Sequence, residues 1–303
     1  MKQLFLCLII SVILFQCSGK KGDTNATEEF VELTPEQIQE WLDQNLDSVM
    51  VRKDFLSSNG LKLPYRLFIS PSYNGNEEIP LLVHLHGRGD RGTDNRPEVY
   101  NKLPLFNGTN SIASPNMQNK YPSIVLVPQC SDKTINEEWA KWVGNTPETP
   151  FEGLGKDGSY TMTDNPSESG FAVLELIESI LKNYKIDKGR VYITGISMGG
   201  FGTWEYVGRR PDLFAAAVPM AGFSDTSIIE KVKHIPFWIF HGGADKSNPV
   251  EGSRTMYKLL KEAGANVQYT EYPDVEHSPA FRMAWKEPEL LPWIFSKKND
   301  QLK

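Results

Sequence analysis

With 303 residues, 40% of them hydrophobic, the chain has enough apolar material for one large core, and a single α/β domain is the simplest expectation. A formal net charge of −6, with no basic stripe, excludes a nucleic-acid partner held through phosphate neutralisation. Glycine and proline, at 24 and 20, suit a loop-rich globular chain and fall short of low complexity.

The chain opens with Lys2 and an apolar run from Leu4 to Phe15, interrupted only by Cys7 and Ser11. The run is short for a bilayer span and gives way at once to polar sequence, so residues 1–16 read as a signal peptide. Leu14-Phe15-Gln16-Cys17 at its end resembles a bacterial lipobox, in which Cys17 is acylated and becomes the mature N-terminus. Lipidation there places the protein at a bacterial cell envelope, anchored to the membrane. The alternative is an ordinary signal peptide cut near Ser18 and a secreted product. Residues 17–33 then form the lipid-bearing cysteine and a polar tether, and 34–303 a single domain. Beyond Cys7 and Cys17 only Cys130 remains, which reads as a small buried hydrophobe. No His or Cys cluster has metal-ligand spacing, and neither metal nor cofactor is expected.

Thr34 as N-cap, Pro35 at the first helical position and Gln37 as partner in a capping box begin a helix carrying Ile38, Trp41, Leu42 and Leu46 at helical spacing. Strands are expected at Leu63–Ser70, at Ile79–Leu85 and at Ile124–Val127. The second of these is a continuous apolar run of the kind buried on both faces of a sheet. An amphipathic helix covers Phe171–Tyr184, with Leu174, Ile177, Ile180 and Leu181 on one face. Strands follow at Val191–Thr194, Phe214–Pro219, Pro236–Phe240 and Val267–Tyr272, with helices at Pro249–Ala263 and Leu290–Ser296. Strands alternating with helices imply a mostly parallel, doubly wound sheet that binds ligands at its carboxyl edge. Residues 86–122 show little regular pattern. Residues 130–168 hold Trp139, Trp142, Phe151 and Tyr160 among prolines and glycines, and connections this long usually wall a pocket.

Gly195-Ile196-Ser197-Met198-Gly199, with Gly200 behind it, ends one strand and opens the next helix. A serine at so sharp a turn is left exposed, with the positive end of a helix behind it. A hydroxyl is a weak nucleophile and needs a base in reach, itself oriented by a third group. Downstream lie three histidines. His277 stands in the loop after the last strand, His241 at the end of a buried strand, where a structural turn histidine is expected, and His234 between helix and strand. His277 is the favoured base. Asp245, just after the preceding strand in His241-Gly242-Gly243-Ala244-Asp245, is the favoured acid, with Asp225 and Asp274 as rivals. A tetrahedral oxyanion would take backbone N–H groups from Met198 and from Arg88, in the loop His86-Gly87-Arg88-Gly89. His86, Trp139, Trp142 and Tyr160 are candidates for the substrate pocket.

His84-Leu85-His86-Gly87, Arg91-Gly92-Thr93-Asp94-Asn95, Gly195 through Trp204 and Pro211 through Pro219 together resemble the α/β-hydrolase superfamily. More narrowly, residues 60–298 are similar to the group of feruloyl and acetyl-xylan esterases, polyhydroxybutyrate depolymerases and peptidase-like relatives of dienelactone hydrolase. The resemblance implies the α/β-hydrolase fold, with the acid in the Asp245 loop and the base in the His277 loop. It also implies a serine carboxylic-ester hydrolase that forms an acyl-enzyme. The expected substrate is a small-molecule or oligosaccharide ester, such as feruloyl or acetyl groups on plant polysaccharide. A serine peptidase, or a glycan-binding lipoprotein without catalysis, are the alternatives. Arg88 stands where many relatives carry a small residue.

Overall fold

The computed structural model describes residues 30–135, 141–144 and 161–299. The chain divides into two compact units, Met1–Val31 and Glu32–Lys303, and every element named below belongs to the second. The signal peptide, Cys17, Trp139 and Tyr160 lie outside the described residues.

Eight strands form one sheet: β1 (Val51–Leu56), β2 (Lys62–Ile69), β3 (Ile79–Leu85), β4 (Ile124–Pro128), β5 (Ile186–Ile196), β6 (Ala216–Met220), β7 (Phe237–Gly242) and β8 (Val267–Tyr272). Their spatial order is β1-β2-β4-β3-β5-β6-β7-β8. The two pairings made by β2 are antiparallel and all the others parallel. Fully buried runs such as Ile79–Leu85 and Ile124–Pro128 take the middle of the sheet, because only a strand covered on both faces tolerates continuous apolar sequence. β1 is absent from the sequence expectations. Its Arg52-Lys53-Asp54 stretch carries little apolar signal because it is an exposed edge, and charged side chains there discourage pairing with another chain.

The helices are α1 (Pro35–Val49), α2 (Glu98–Asn101), α3 (Pro115–Lys120), α4 (Glu168–Asn183), α5 (Met198–Arg209), α6 (Ile229–Val232), α7 (Val250–Glu262), α8 (His277–Ala284) and α9 (Leu290–Phe295). They cover both faces of the sheet. One apolar core joins Leu81, Val83 and Leu85 to α4, α5 and α7, and the other joins Leu82, Phe68 and Val125 to α1, α8 and α9. Alternate residues of a single strand thus feed opposite cores. α1 carries the expected capping box on Thr34 and Gln37 and buries Ile38, Leu42 and Leu46. A fully buried Arg66 holds it in place, donating to Asp47 of α1 (2.9 Å), to Met50 O (2.8 Å) and to Asn95 O (2.6 Å). The stretch 86–122, expected to be irregular, contains α2, α3 and a short 3-10 turn at Arg88–Asp90. Four to six residues per helix are too few to show a period in sequence.

Candidate active site

β5 runs straight into α5 through Ser197, whose backbone adopts φ 53°, ψ −117°. A non-glycine residue in that region is strained, and the surrounding packing must hold it there. Two glycines make the turn sterically possible. A Cβ on Gly195 would overlap the Gly199 carbonyl, and one on Gly199 would overlap Leu85 O at the end of β3. The elbow is therefore pressed directly onto the neighbouring strand end, with the Ser197 N–H donating to Met220 O of β6 (2.9 Å). Ser197 is half-buried at the carboxyl edge of the sheet.

β7 and β8 bring up two further side chains. Beyond β7 the Asp245 loop is fastened to the segment after β8: Gly243 N–H donates to Tyr272 O (2.7 Å) and Ala244 N–H to Val275 O (3.1 Å). A Cβ on Gly242 or Gly243 would overlap carbonyls of Val275 and Pro273, so the two loops touch backbone to backbone. His277, the first residue of α8, donates from Nδ1 to Asp245 Oδ2 (2.5 Å) and accepts at Nε2 from Ser197 Oγ (2.8 Å). The direction of both bonds follows from chemistry, since a carboxylate only accepts and so leaves Nε2 as the acceptor. Of the three candidate acids, Asp245 is the one hydrogen-bonded to His277. The Asp225 carboxylate accepts from the N–H groups of Met162 (3.0 Å) and Ser227 (2.9 Å), and Asp274 is exposed. His234 is exposed and pairs with Pro211 O.

The Asp245 side chain is buried, and burial by itself would raise its pKa. Hydrogen bonds from His241, His277 and the Asn248 N–H outweigh that cost and hold the carboxyl well below the usual carboxylate range. The His277 ring also stands edge-on to Phe281, with centroids 4.8 Å apart, so α8 presents both the imidazole and the wall it rests on. Sequence reading missed this helix. Pro279 in its first turn and the Ala280, Phe281, Ala284 spacing are the signals that could have found it.

A cavity of about 580 Å³ opens beside Ser197 and His277. Its walls include Arg88, Glu98, Lys102, Asn248, Phe281 and Arg282, with Lys102 paired to Asp90 at 3.0 Å. Arg88 begins the short turn on the rim. Met198 is the first residue of α5, where backbone N–H groups have no acceptor within the helix.

The expected pocket residues fare differently. His86 borders the cavity, but its ring is fully buried and engaged on both sides. Nε2 accepts from Cys130 N–H (2.9 Å), which leaves the proton on Nδ1 to be donated to Gly87 O (2.7 Å). Burial pushes its pKa down to about 4, in keeping with a neutral ring. His86 therefore braces the loop that carries Arg88. Trp142 does not line the cavity. It is fully buried in the core behind α5, and its indole N–H donates to His86 O (3.0 Å). A buried indole must find an acceptor, and the carbonyl at the end of β3 supplies one. Trp139 and Tyr160 lie outside the described residues. Cys130 is buried, and burial raises its thiol pKa to about 12. Among the described residues no cluster of three His, Cys, Asp or Glu side chains is placed to hold a metal ion.

Residues 172–239, from within α4 to the middle of β7, match the Prolyl oligopeptidase family. The chain is 27% identical over 210 residues to carboxylesterase SOBER1 of Arabidopsis thaliana, covering 65% of this chain and 82% of that protein. It is 35% identical over 162 residues to "Probable acetylxylan esterase A" of Aspergillus flavus, half of each protein. A crystallised thermostable esterase superposes with a TM-score of 0.69 at 34% identity, covering 83% of this chain and 64% of that one. The chain spans only 21% of a secreted protein of Arthroderma benhamiae, to which it is 25% identical over 230 residues. The strand order, the strained serine between β5 and α5 and the likeness to the crystallised esterase make this chain an α/β-hydrolase fold.

Proposed function

We propose that the protein is a serine ester hydrolase working through an acyl-enzyme, and that its substrates are esters carried on carbohydrate. The observation that carries the proposal is the unbroken chain of hydrogen bonds from Ser197 Oγ to His277 and on to Asp245, beside a cavity. In this reading His277 Nε2 takes the Ser197 proton as Oγ attacks the ester carbonyl, then returns it to the leaving alkoxide. Asp245 holds the Nδ1–H tautomer and stabilises the imidazolium without itself taking the proton. The Met198 and Arg88 N–H groups would receive the oxyanion, an arrangement in which losing one donor typically costs about 10²–10³ in rate. Water admitted to the acyl-enzyme repeats the sequence with the same base.

Three features support a sugar-linked ester. The relatives include an acetylxylan esterase by name, and a structure named ferulic acid esterase shares the fold at a TM-score of 0.59. Beside apolar Val99, Leu103, Ile196 and Phe281, the cavity walls carry Arg88, Glu98, Lys102 and Arg282, charged groups that can hydrogen-bond a hydroxylated substrate. Export to a bacterial envelope, with acylation at Cys17, would place the site where oligosaccharides arrive, and one relative is itself named a secreted protein.

The purified protein should hydrolyse p-nitrophenyl acetate and at least one of methyl ferulate and acetylated xylan. Ser197→Ala should lower kcat by roughly 10⁶-fold. No ester turnover above that variant would overturn the proposal, as would failure of a fluorophosphonate to label Ser197. That second result would favour glycan binding without catalysis. The match of residues 172–239 to the Prolyl oligopeptidase family favours peptide hydrolysis as a second reading. Cleavage of a peptide library with no ester turnover would select it.

A further inference from the structure

His241 was expected to serve only as a turn residue at the end of β7, and its position gives it more to do. The ring is fully buried, with Nε2 3.2 Å from Asp245 Oδ2 and 3.3 Å from Asn248 O. Both neighbours are acceptors, so Nε2 carries a proton whether the ring is neutral or cationic. On the other side Nδ1 lies 2.7 Å from Ser253 Oγ of α7. In the neutral ring Nδ1 then carries the lone pair and accepts from the Ser253 hydroxyl, whose single proton can otherwise go to Gly222 O (3.2 Å).

The Asp245 carboxylate is thus fully occupied. Oδ1 accepts the N–H groups of Ser247 (2.7 Å) and Asn248 (2.9 Å), while Oδ2 lies between the imidazoles of His277 and His241. The contacts run Ser197–His277–Asp245–His241–Ser253, with a serine and a histidine on either side of one acid.

Resting on the reading of Ser197, His277 and Asp245 as a catalytic triad, we propose that His241 is a positioning residue for that reaction. Through Nε2–H it fixes the Asp245 oxygen that orients His277, and it shares that oxygen's negative charge. Without His241 the carboxylate is free to rotate away from His277 Nδ1, and misplacement of about 1 Å near the reacting atoms is worth roughly 10²-fold in rate. Glu271, the cross-strand neighbour of His241 on β8, is itself held by Arg254 of α7 at 2.6 Å.

Two amides separate the halves of the histidine. In His241→Asn the short side chain can keep the Ser253 contact but does not reach Asp245. In His241→Gln the longer one places an N–H near the position of Nε2. Turnover is counted per Ser197 titrated with a fluorophosphonate, so unfolded protein does not enter the comparison. The expectation is a kcat about 10- to 100-fold below wild type for His241→Asn, with KM within about twofold. His241→Gln should recover most of the loss. Equal impairment of both variants, or wild-type turnover per labelled site in His241→Asn, would overturn the proposal. Imidazole ¹⁵N NMR of the wild-type protein needs no variant: an unprotonated Nε2 on His241 would also overturn it. If wild-type Ser197 is neither labelled nor active, the triad reading itself fails, which is a separate result.

Discussion

Asp245 is the residue at which chemistry and stability meet. Asp245→Asn leaves the shape of the site nearly intact but offers His277 an amide that can force the wrong tautomer, and kcat is expected to fall by about 10⁴-fold at neutral pH. The same carboxyl links folding to pH. Its folded pKa is depressed, so its contribution to stability is fully present above the ordinary carboxylate value of 3.8. As the pH falls below that value the unfolded chain takes up the proton first, and the contribution is lost progressively toward the folded value. In urea melts the stability gap between the wild type and Asp245→Asn should therefore be smaller at pH 3 than at neutral pH. Ser197, Asp245 and His277 could be proposed from sequence because each stands just beyond a recognisable strand, apolar for β5 and β7 and rich in β-branched and aromatic residues for β8. The His241–Asp245 contact could not. It depends on how a turn of four residues folds back, and a one-dimensional spacing does not encode that. Trp142 was misjudged for a related reason: composition marks an aromatic residue in a loop but not the side to which its ring turns.

At the level of elements, the elbow works only because β3, β5 and α5 approach one another through glycine. Gly199→Ala would drive a Cβ into the Leu85 carbonyl, a backbone atom with no freedom to move aside. Gly89, in the loop that carries Arg88, has nothing within 4 Å of its own added Cβ. Thermal melts should show Gly199→Ala severely destabilised or unable to fold, while Gly89→Ala stays within about 0.5 kcal/mol of wild type. An element that buries a continuous apolar run could be placed closely from sequence: Ile79–Leu85 coincides with β3, whereas Val267–Tyr272, only half-buried as β8, was visible through its β-branched and aromatic residues. β1 and α8 escaped. β1 faces solvent at the sheet edge and needs no apolar face. α8 begins at His277 within a stretch rich in charge and proline, where its period is short and partly masked.

Across the whole molecule, the sheet order places every element of the candidate site at one carboxyl edge, and alternation of strand and helix was sufficient to expect that. The proposed lipid anchor at Cys17 belongs to this scale too. Cys17→Ser should move the protein from the detergent-extracted membrane fraction to the soluble one without altering turnover of a soluble ester, and an unchanged distribution would argue for an ordinary secreted product. One small contact has a larger effect on how the molecule can vary. An added Cβ on Gly144 would overlap the Thr163 hydroxyl, and Arg209 of α5 donates to the carbonyls of Thr163 (2.7 Å) and Asp164 (2.9 Å). Gly144 and Thr163, nineteen positions apart in sequence, are therefore pressed together on a footing that Arg209 of α5 fastens, so a side chain added at either point is felt at both.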